Sequence, residues 1–236
     1  MDHKQEILNQ IQGGLIVSCQ ALEDEPLHSS FIMSRMAVAA QEGGAVAIRA
    51  NSPEDIAEIQ KSISIPIIGL WKRDYDDSEI YITPTMAEID ALAKANVDII
   101  ATDATDRVRP YGQSLYSFIQ EVKAKYPDIL FMADCSTFEE GLKAEKLGFD
   151  LVSTTLSGYT TETAGRALPD FDLLEMLVAS LSVPVVAEGG IWEVNQLKTA
   201  FEIGCHCAVI GSAITRPREI TKRFTDSIKE ISNENY

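Results

Sequence analysis

Eight short apolar runs in this chain end on residues that can bind or react: Gln20, Arg49, Lys72, Asp103, Asp134, Thr154-Thr155, Glu188 and Ser212. One polar residue at the end of an apolar run is ordinary, since every chain must exit into solvent. Here Arg, Lys, Asp and Glu each follow residues too apolar for a surface, so these side chains meet wherever the runs meet. Lys72 is a candidate general base or Schiff-base nucleophile. It acts near neutrality only if partial burial and neighbouring cations depress its pKa, and we expect it to be neutral at working pH. Glu188 and Asp134 can orient substrate hydroxyls, transfer protons, hold a metal, or pair with Lys72 and Arg49. No histidine ends a run: His3 is terminal, His28 lies in a loop stretch and His206 precedes the last run. A histidine-based mechanism and a three-histidine metal site are therefore not expected, and no metal site is. Cys205-His206-Cys207 is spaced too tightly for the usual zinc pattern and lacks a second cluster, so its cysteines read as structural.

A second group of residues points to an anion. Ala187-Glu188-Gly189-Gly190-Ile191 follows the seventh run, and Gly211-Ser212-Ala213-Ile214-Thr215-Arg216-Pro217 follows the eighth. Glycines let backbone N–H groups approach phosphate oxygens, and a helix start favours negative charge. Gly190, Gly211, Ser212 and Arg216 are the candidate phosphate ligands. The segment 157–165, SGYTTETAG, is rich in glycine and small polar residues and suits a lid.

The elements that must position these residues follow from the runs. They cover 14–20, 45–50, 66–72, 98–103, 130–135, 151–155, 184–190 and 208–212. Most are continuously apolar rather than alternating, which marks strands buried on both faces of a parallel sheet. Helical stretches lie between them. Met33–Gln41 stops at Gly43-Gly44, and Ser52 with Pro53 opens a second helix. Thr83-Pro84 repeats that device before a helix ending near Asn96, and Thr137 with Glu140 forms a capping box for a helix that stops at Gly148. Phe171–Leu181, Trp192–Ile203 and Arg216–Ser232 complete the set. The fold class is α/β, a (β/α)8 TIM barrel. Its active site lies at the C-terminal ends of the strands, with phosphate commonly held after strands seven and eight. An open doubly wound sheet is the rival, but no dinucleotide fingerprint follows Gly13-Gly14.

Composition narrows the function classes. The chain has 236 residues, 45% hydrophobic and 24% charged, with a formal net charge of −16. That charge argues against nucleic acid and against an anionic membrane surface as partners. No linker or charge block divides residues 1–236, so one domain is expected. The N-terminus lacks a signal-peptide pattern and four cysteines are too sparse for a disulfide scaffold, so a reducing cytoplasm is the expected setting.

Taken together, the motifs resemble the bacterial N-acetylmannosamine-6-phosphate 2-epimerases of sialic acid breakdown. The resemblance spans nearly the whole chain and rests on segments 13–20, 47–50, 66–72, 81–85, 133–136, 157–160, 187–190 and 211–217. Ile82-Thr83-Pro84-Thr85, Ser157-Gly158-Tyr159-Thr160 and Ala187-Glu188-Gly189-Gly190 are jointly specific. One departure is Ser212, where some relatives carry a second glycine. The resemblance implies an isomerase acting on a phosphorylated N-acetyl amino sugar without a cofactor, with a homodimer as candidate assembly. It implies Lys72 as catalytic lysine and Glu188 as its acidic partner. Gln20, Arg49 and Asp134 would bind substrate, with Arg49 polarising a carbonyl or enolate oxygen. Two alternatives stay open: another phosphosugar isomerase, synthase or aldolase using a Lys72 Schiff base, and a non-catalytic barrel that only binds a sugar phosphate.

Overall fold

The computed structural model describes residues 3–234. Eight parallel strands close into a barrel in chain order: β1 (Leu15–Cys19), β2 (Ala47–Asn51), β3 (Ile67–Leu70), β4 (Ile99–Asp103), β5 (Leu130–Asp134), β6 (Leu151–Ser153), β7 (Val185–Glu188) and β8 (Cys207–Ile210). The last strand pairs with the first through Ile16 opposite Val209, so no edge remains. Ten helices accompany them among the described residues: α1 (His3–Ile11), α2 (Ser30–Glu42), α3 (Pro53–Ile59), α4 (Met86–Lys94), α5 (Leu115–Lys125), α6 (Phe138–Leu147), α7 (Phe171–Ser180), α8 (Val194–Ile203), α9 (Ser212–Thr215) and α10 (Pro217–Glu234). No helix among the described residues is long and apolar enough to cross a membrane.

Continuous apolar runs are required because each strand serves two cores. One face packs inside the barrel, where Ile16, Ile68, Ile99, Leu130, Met132, Leu151, Val186 and Val209 fill the lumen. The other face, including Val17, Ile48, Ile100, Phe131 and Val152, packs beneath the helices. Helix α1 presents Ile7 and Ile11 to the inner cluster, and His206 Nε2 lies 2.9 Å from the Leu8 carbonyl oxygen. These contacts fix α1 against the barrel and place His206 apart from the strand ends that carry the candidate site.

Caps set several helix starts as the sequence indicates. Ser52 accepts from the Asp55 N–H, and Thr137 with Glu140 closes a capping box. The start of α4 differs from expectation. Its N-cap is Thr85, which forms a capping box with Glu88, so Pro84 lies outside the helix. Thr83 is instead fully buried in the left-handed region, at φ 46°. A β-branched residue there stores strain of roughly 1–3 kcal/mol, which the surroundings must hold in place. Neither α1 nor α5 is among the stretches that capping and glycine stops single out, and the short α9 precedes α10 where one helix is expected.

Candidate active site

The strand ends converge on a cavity of about 220 Å³. Ser18 and Gln20 reach it from β1 and just beyond it, Arg49 from β2, Lys72 from beyond β3, Thr155 from beyond β6 and Glu188 from the last position of β7. Gly189, Gly190, Gly211, Ser212 and Arg216 line it from the loops after β7 and β8. Tyr81, Tyr159 and Trp192 supply aromatic walls that the strand-end pattern does not reveal.

Of the candidate residues, Asp134 stands apart. It is 0% exposed and lies behind Arg49, outside the cavity lining. Arg49, 1% exposed, grips it through both guanidinium nitrogens, Nη2 to Oδ2 at 2.6 Å and Nη1 to Oδ1 at 3.1 Å. The same Nη1 donates to Glu188 Oε2 at 2.8 Å. Both Nη1 protons are therefore committed to carboxylates, so Arg49 anchors Glu188, while its Nε is buried without a partner. The Thr155 hydroxyl lies 2.9 Å from Asp134 Oδ1 and from Glu188 Oε2. Thr155, left unassigned at the end of its run, thus ties both carboxylates together.

One guanidinium facing two carboxylates leaves excess negative charge in a dry place. Burial first, and then the charge of Asp134, push the Glu188 carboxyl up to about 7, against the opposing pull of Arg49. Glu188 is then divided between its acid and its carboxylate at neutral pH. The opposite shift occurs across the cavity. Burial, then Arg216 and Arg49, pull the Lys72 ammonium down to about 8. Full neutrality of Lys72 is thus not reached: at pH 7 roughly a tenth of it carries no proton.

Arg216 lines the cavity at the end of the short helix α9, but it is paired with Glu25 of the β1–α2 loop, Nη2 to Oε2 at 3.3 Å. Arg218 shares that carboxylate at 3.5 Å. Gly190 is fixed as glycine by its surroundings: φ is +70°, and a Cβ would stand 2.4 Å from the Leu168 Cβ. Gln20 donates to the Ser18 hydroxyl at 2.8 Å while its own carbonyl oxygen is buried without a partner. Asp103, another strand-end acid, turns away to Arg107 at 2.5 Å. Among the described residues no group of three or more His, Cys, Asp or Glu side chains is placed to hold a metal ion. Cys205 and Cys207 are buried free thiols.

Residues 33–230 match the family model described as "Putative N-acetylmannosamine-6-phosphate epimerase" (NanE). A protein of Caldanaerobacter subterraneus subsp. tengcongensis, named "Putative N-acetylmannosamine-6-phosphate 2-epimerase", is 55% identical over 225 residues, covering 95% of each chain. A Clostridium perfringens protein of the same name is 56% identical over 223 residues, covering 94% of this chain and all of its own. A solved structure presented as the N-acetylmannosamine-6-phosphate 2-epimerase from Clostridium perfringens superposes with a TM-score of 0.90 at 56% identity, covering 93% of this chain and 95% of that one. Thiamine phosphate pyrophosphorylase of Pyrococcus furiosus shares the fold at 20% identity and a TM-score of 0.61.

Proposed function

The chain belongs to the N-acetylmannosamine-6-phosphate epimerase family, and from that premise we propose that its cavity interconverts N-acetyl-D-mannosamine 6-phosphate and N-acetyl-D-glucosamine 6-phosphate in sialic acid degradation. The two sugars differ only in configuration at C2. In the open-chain form C2 lies α to the C1 aldehyde, so its proton is acidic enough for a positioned base. The observation that carries the reading is geometric: Lys72 from beyond β3 and Glu188 from the end of β7 line one cavity, with Glu188 held by Arg49 at 2.8 Å, and burial there pulls the amine down to about 8 and pushes the carboxyl up to about 7.

The neutral amine of Lys72 takes the C2 proton, and the C–H electron pair moves into the C1–C2 bond as the carbonyl becomes an enolate. Protonated Glu188 then delivers a proton to the opposite face of C2, the carbonyl reforms, and configuration is inverted. Arg49 keeps Glu188 in place and, with the ammonium formed on Lys72, favours the developing oxyanion. Asp134 acts through Arg49. Gln20, with a buried carbonyl oxygen awaiting a donor, accepts from a sugar hydroxyl or the acetamido N–H. Gly190, Gly211 and Ser212 offer backbone N–H groups to the 6-phosphate, and Arg216 exchanges Glu25 for it. The whole of 1–236 acts as one domain, in a reducing cytoplasm that suits four free buried cysteines. The assembly is a homodimer, for which the exposed Phe224 of α10 supplies apolar surface.

Incubation with N-acetylmannosamine 6-phosphate, followed by proton NMR, should show the gluco epimer appearing without any added cofactor. Tight binding with no interconversion would favour a barrel that only holds sugar phosphate. Trapping of the protein by borohydride in the presence of substrate would favour Schiff-base chemistry at Lys72.

A further inference from the structure

The segment Tyr81–Pro84 overlaps one of the three jointly specific motifs; Tyr81 and Ile82 line the cavity, whereas Thr83 and Pro84 do not. Its backbone also brackets Lys72. The Arg73 N–H donates to the Tyr81 carbonyl and the Thr83 N–H to the Trp71 carbonyl, each at 2.9 Å, making Lys72 and Ile82 antiparallel partners. Lys72 lies beyond Leu70, the last residue of β3, so the barrel ladder does not hold it. Its own N–H is held by the Asn51 side chain at 2.8 Å. The strap bends at Thr83, whose φ of 46° no β-branched residue adopts unaided. The Thr83 hydroxyl accepts from the Trp71 N–H at 3.1 Å and donates to the Ala101 carbonyl at 2.7 Å.

Behind the strap sits Arg109, 1% exposed. Its Nη2 donates to the Thr83 carbonyl at 3.1 Å and to the Thr102 hydroxyl at 2.9 Å, and that hydroxyl itself donates to the Thr83 carbonyl at 2.9 Å. Its Nε donates to the Pro84 carbonyl at 3.1 Å, and its Nη1 to the Asp103 carbonyl at 2.5 Å. The guanidinium stacks 3.9 Å from the Phe118 ring centre. None of its four acceptors is a carboxylate. A buried cation bonded only to neutral groups is an expensive way to fill space. What a rigid planar fork does, and an apolar side chain cannot, is fix several carbonyls relative to one another.

We propose that Arg109 is a positioning residue that acts on Lys72 through the strained strap Tyr81–Pro84, an inference that rests on Lys72 being the base. The fork holds the Thr83 carbonyl, the strap holds the backbone on either side of Lys72, and the amine is thereby kept at the cavity wall. There it faces Arg49 from β2, Glu188 from β7, Arg216 from the end of α9, Glu25 from the β1–α2 loop, and Tyr81 from the strap itself. Released from the strap, the amine moves toward water and regains ordinary basicity.

Two variants test this. Arg109→Lys keeps the charge and loses the fork; Thr102→Val removes, at nearly equal volume, the hydroxyl that bridges Arg109 and the Thr83 carbonyl. Each is measured for thermal midpoint, for kcat and KM, and for the pH dependence of trace acetylation of Lys72 by acetic anhydride, read by peptide mass spectrometry. In folded variants kcat should fall about tenfold or more while KM moves little. The labelling midpoint of Lys72 should rise from about 8 toward the ordinary lysine value of about 10.4. An unchanged Lys72 midpoint in a folded variant overturns the proposal, whatever happens to kcat. If Arg109→Lys does not fold, Thr102→Val alone decides. A Lys72→Met protein that stays active would sink the base assignment, whereas the labelling midpoint reads the strap separately.

Discussion

Burial draws the Lys72 ammonium down to about 8 and the Glu188 carboxyl up to about 7, and those two shifts dictate a pH dependence. As base, Lys72 must be neutral, so activity falls as pH drops below about 8. As donor, Glu188 must carry its proton, so activity falls as pH rises above about 7. The limbs overlap, and kcat/KM should peak between them, with on the order of a twentieth of the enzyme in the competent state. Glu188→Gln should abolish the alkaline limb near 7 together with most turnover. A variant that epimerised at the native rate would move the second proton to a substrate hydroxyl. Arg216→Ala should raise KM for the phosphosugar roughly 10–150-fold, the worth of a charge-assisted contact. An unchanged KM would remove Arg216 from the phosphate site. Lys72, Glu188 and Arg49 were legible because a charge after an apolar run is conspicuous. That Asp134 supports rather than lines the cavity, and that Glu25 holds Arg216, was not, since both depend on partners 85 to 191 residues away in sequence.

At the scale of elements, the strands were the readable part. A parallel barrel buries both faces of each strand, so each one appears as an uninterrupted apolar run with edges within a few residues of those observed. Helix α5 carried a signal too, with Ser114 as cap and Leu115, Phe118, Ile119 and Val122 at helical spacing, all four buried. The long polar stretch before it hid its start. Thr83-Pro84 misled because the Ser/Thr-Pro pattern that opens α3 is used here to build the strap instead. The loop 157–165 is the one element expected to move. It is stitched internally by the Gly158 N–H to Thr163 at 2.9 Å, yet it extends a largely exposed Tyr159 to the cavity. Closure over the sugar should slow amide exchange there when the phosphosugar binds. Exchange that stays the same would make it a static wall.

For the molecule as a whole, a net charge of −16 must be reconciled with a dianionic substrate. Screening decides it: at physiological salt the field of distant carboxylates decays over about 8 Å, whereas the phosphate ligands proposed above, Arg216 and backbone N–H groups, would act at contact distance. Light scattering should give twice the chain mass of 25.9 kDa for the proposed homodimer, and Phe224→Asp should shift it toward the monomer. A monomeric native protein would exclude that assembly.

In the proposed reaction the barrel breaks and remakes the C2–H bond with Lys72 as base. Single-turnover epimerisation of N-acetylmannosamine 6-phosphate in D2O, with deuterium-exchanged enzyme, decides whether it does. The native protein should place deuterium at C2 of the gluco product. Lys72→Met should lower turnover roughly 10²–10⁴-fold, with substrate still bound. Product that retains protium at C2, or substantial turnover in Lys72→Met, would contradict that reaction.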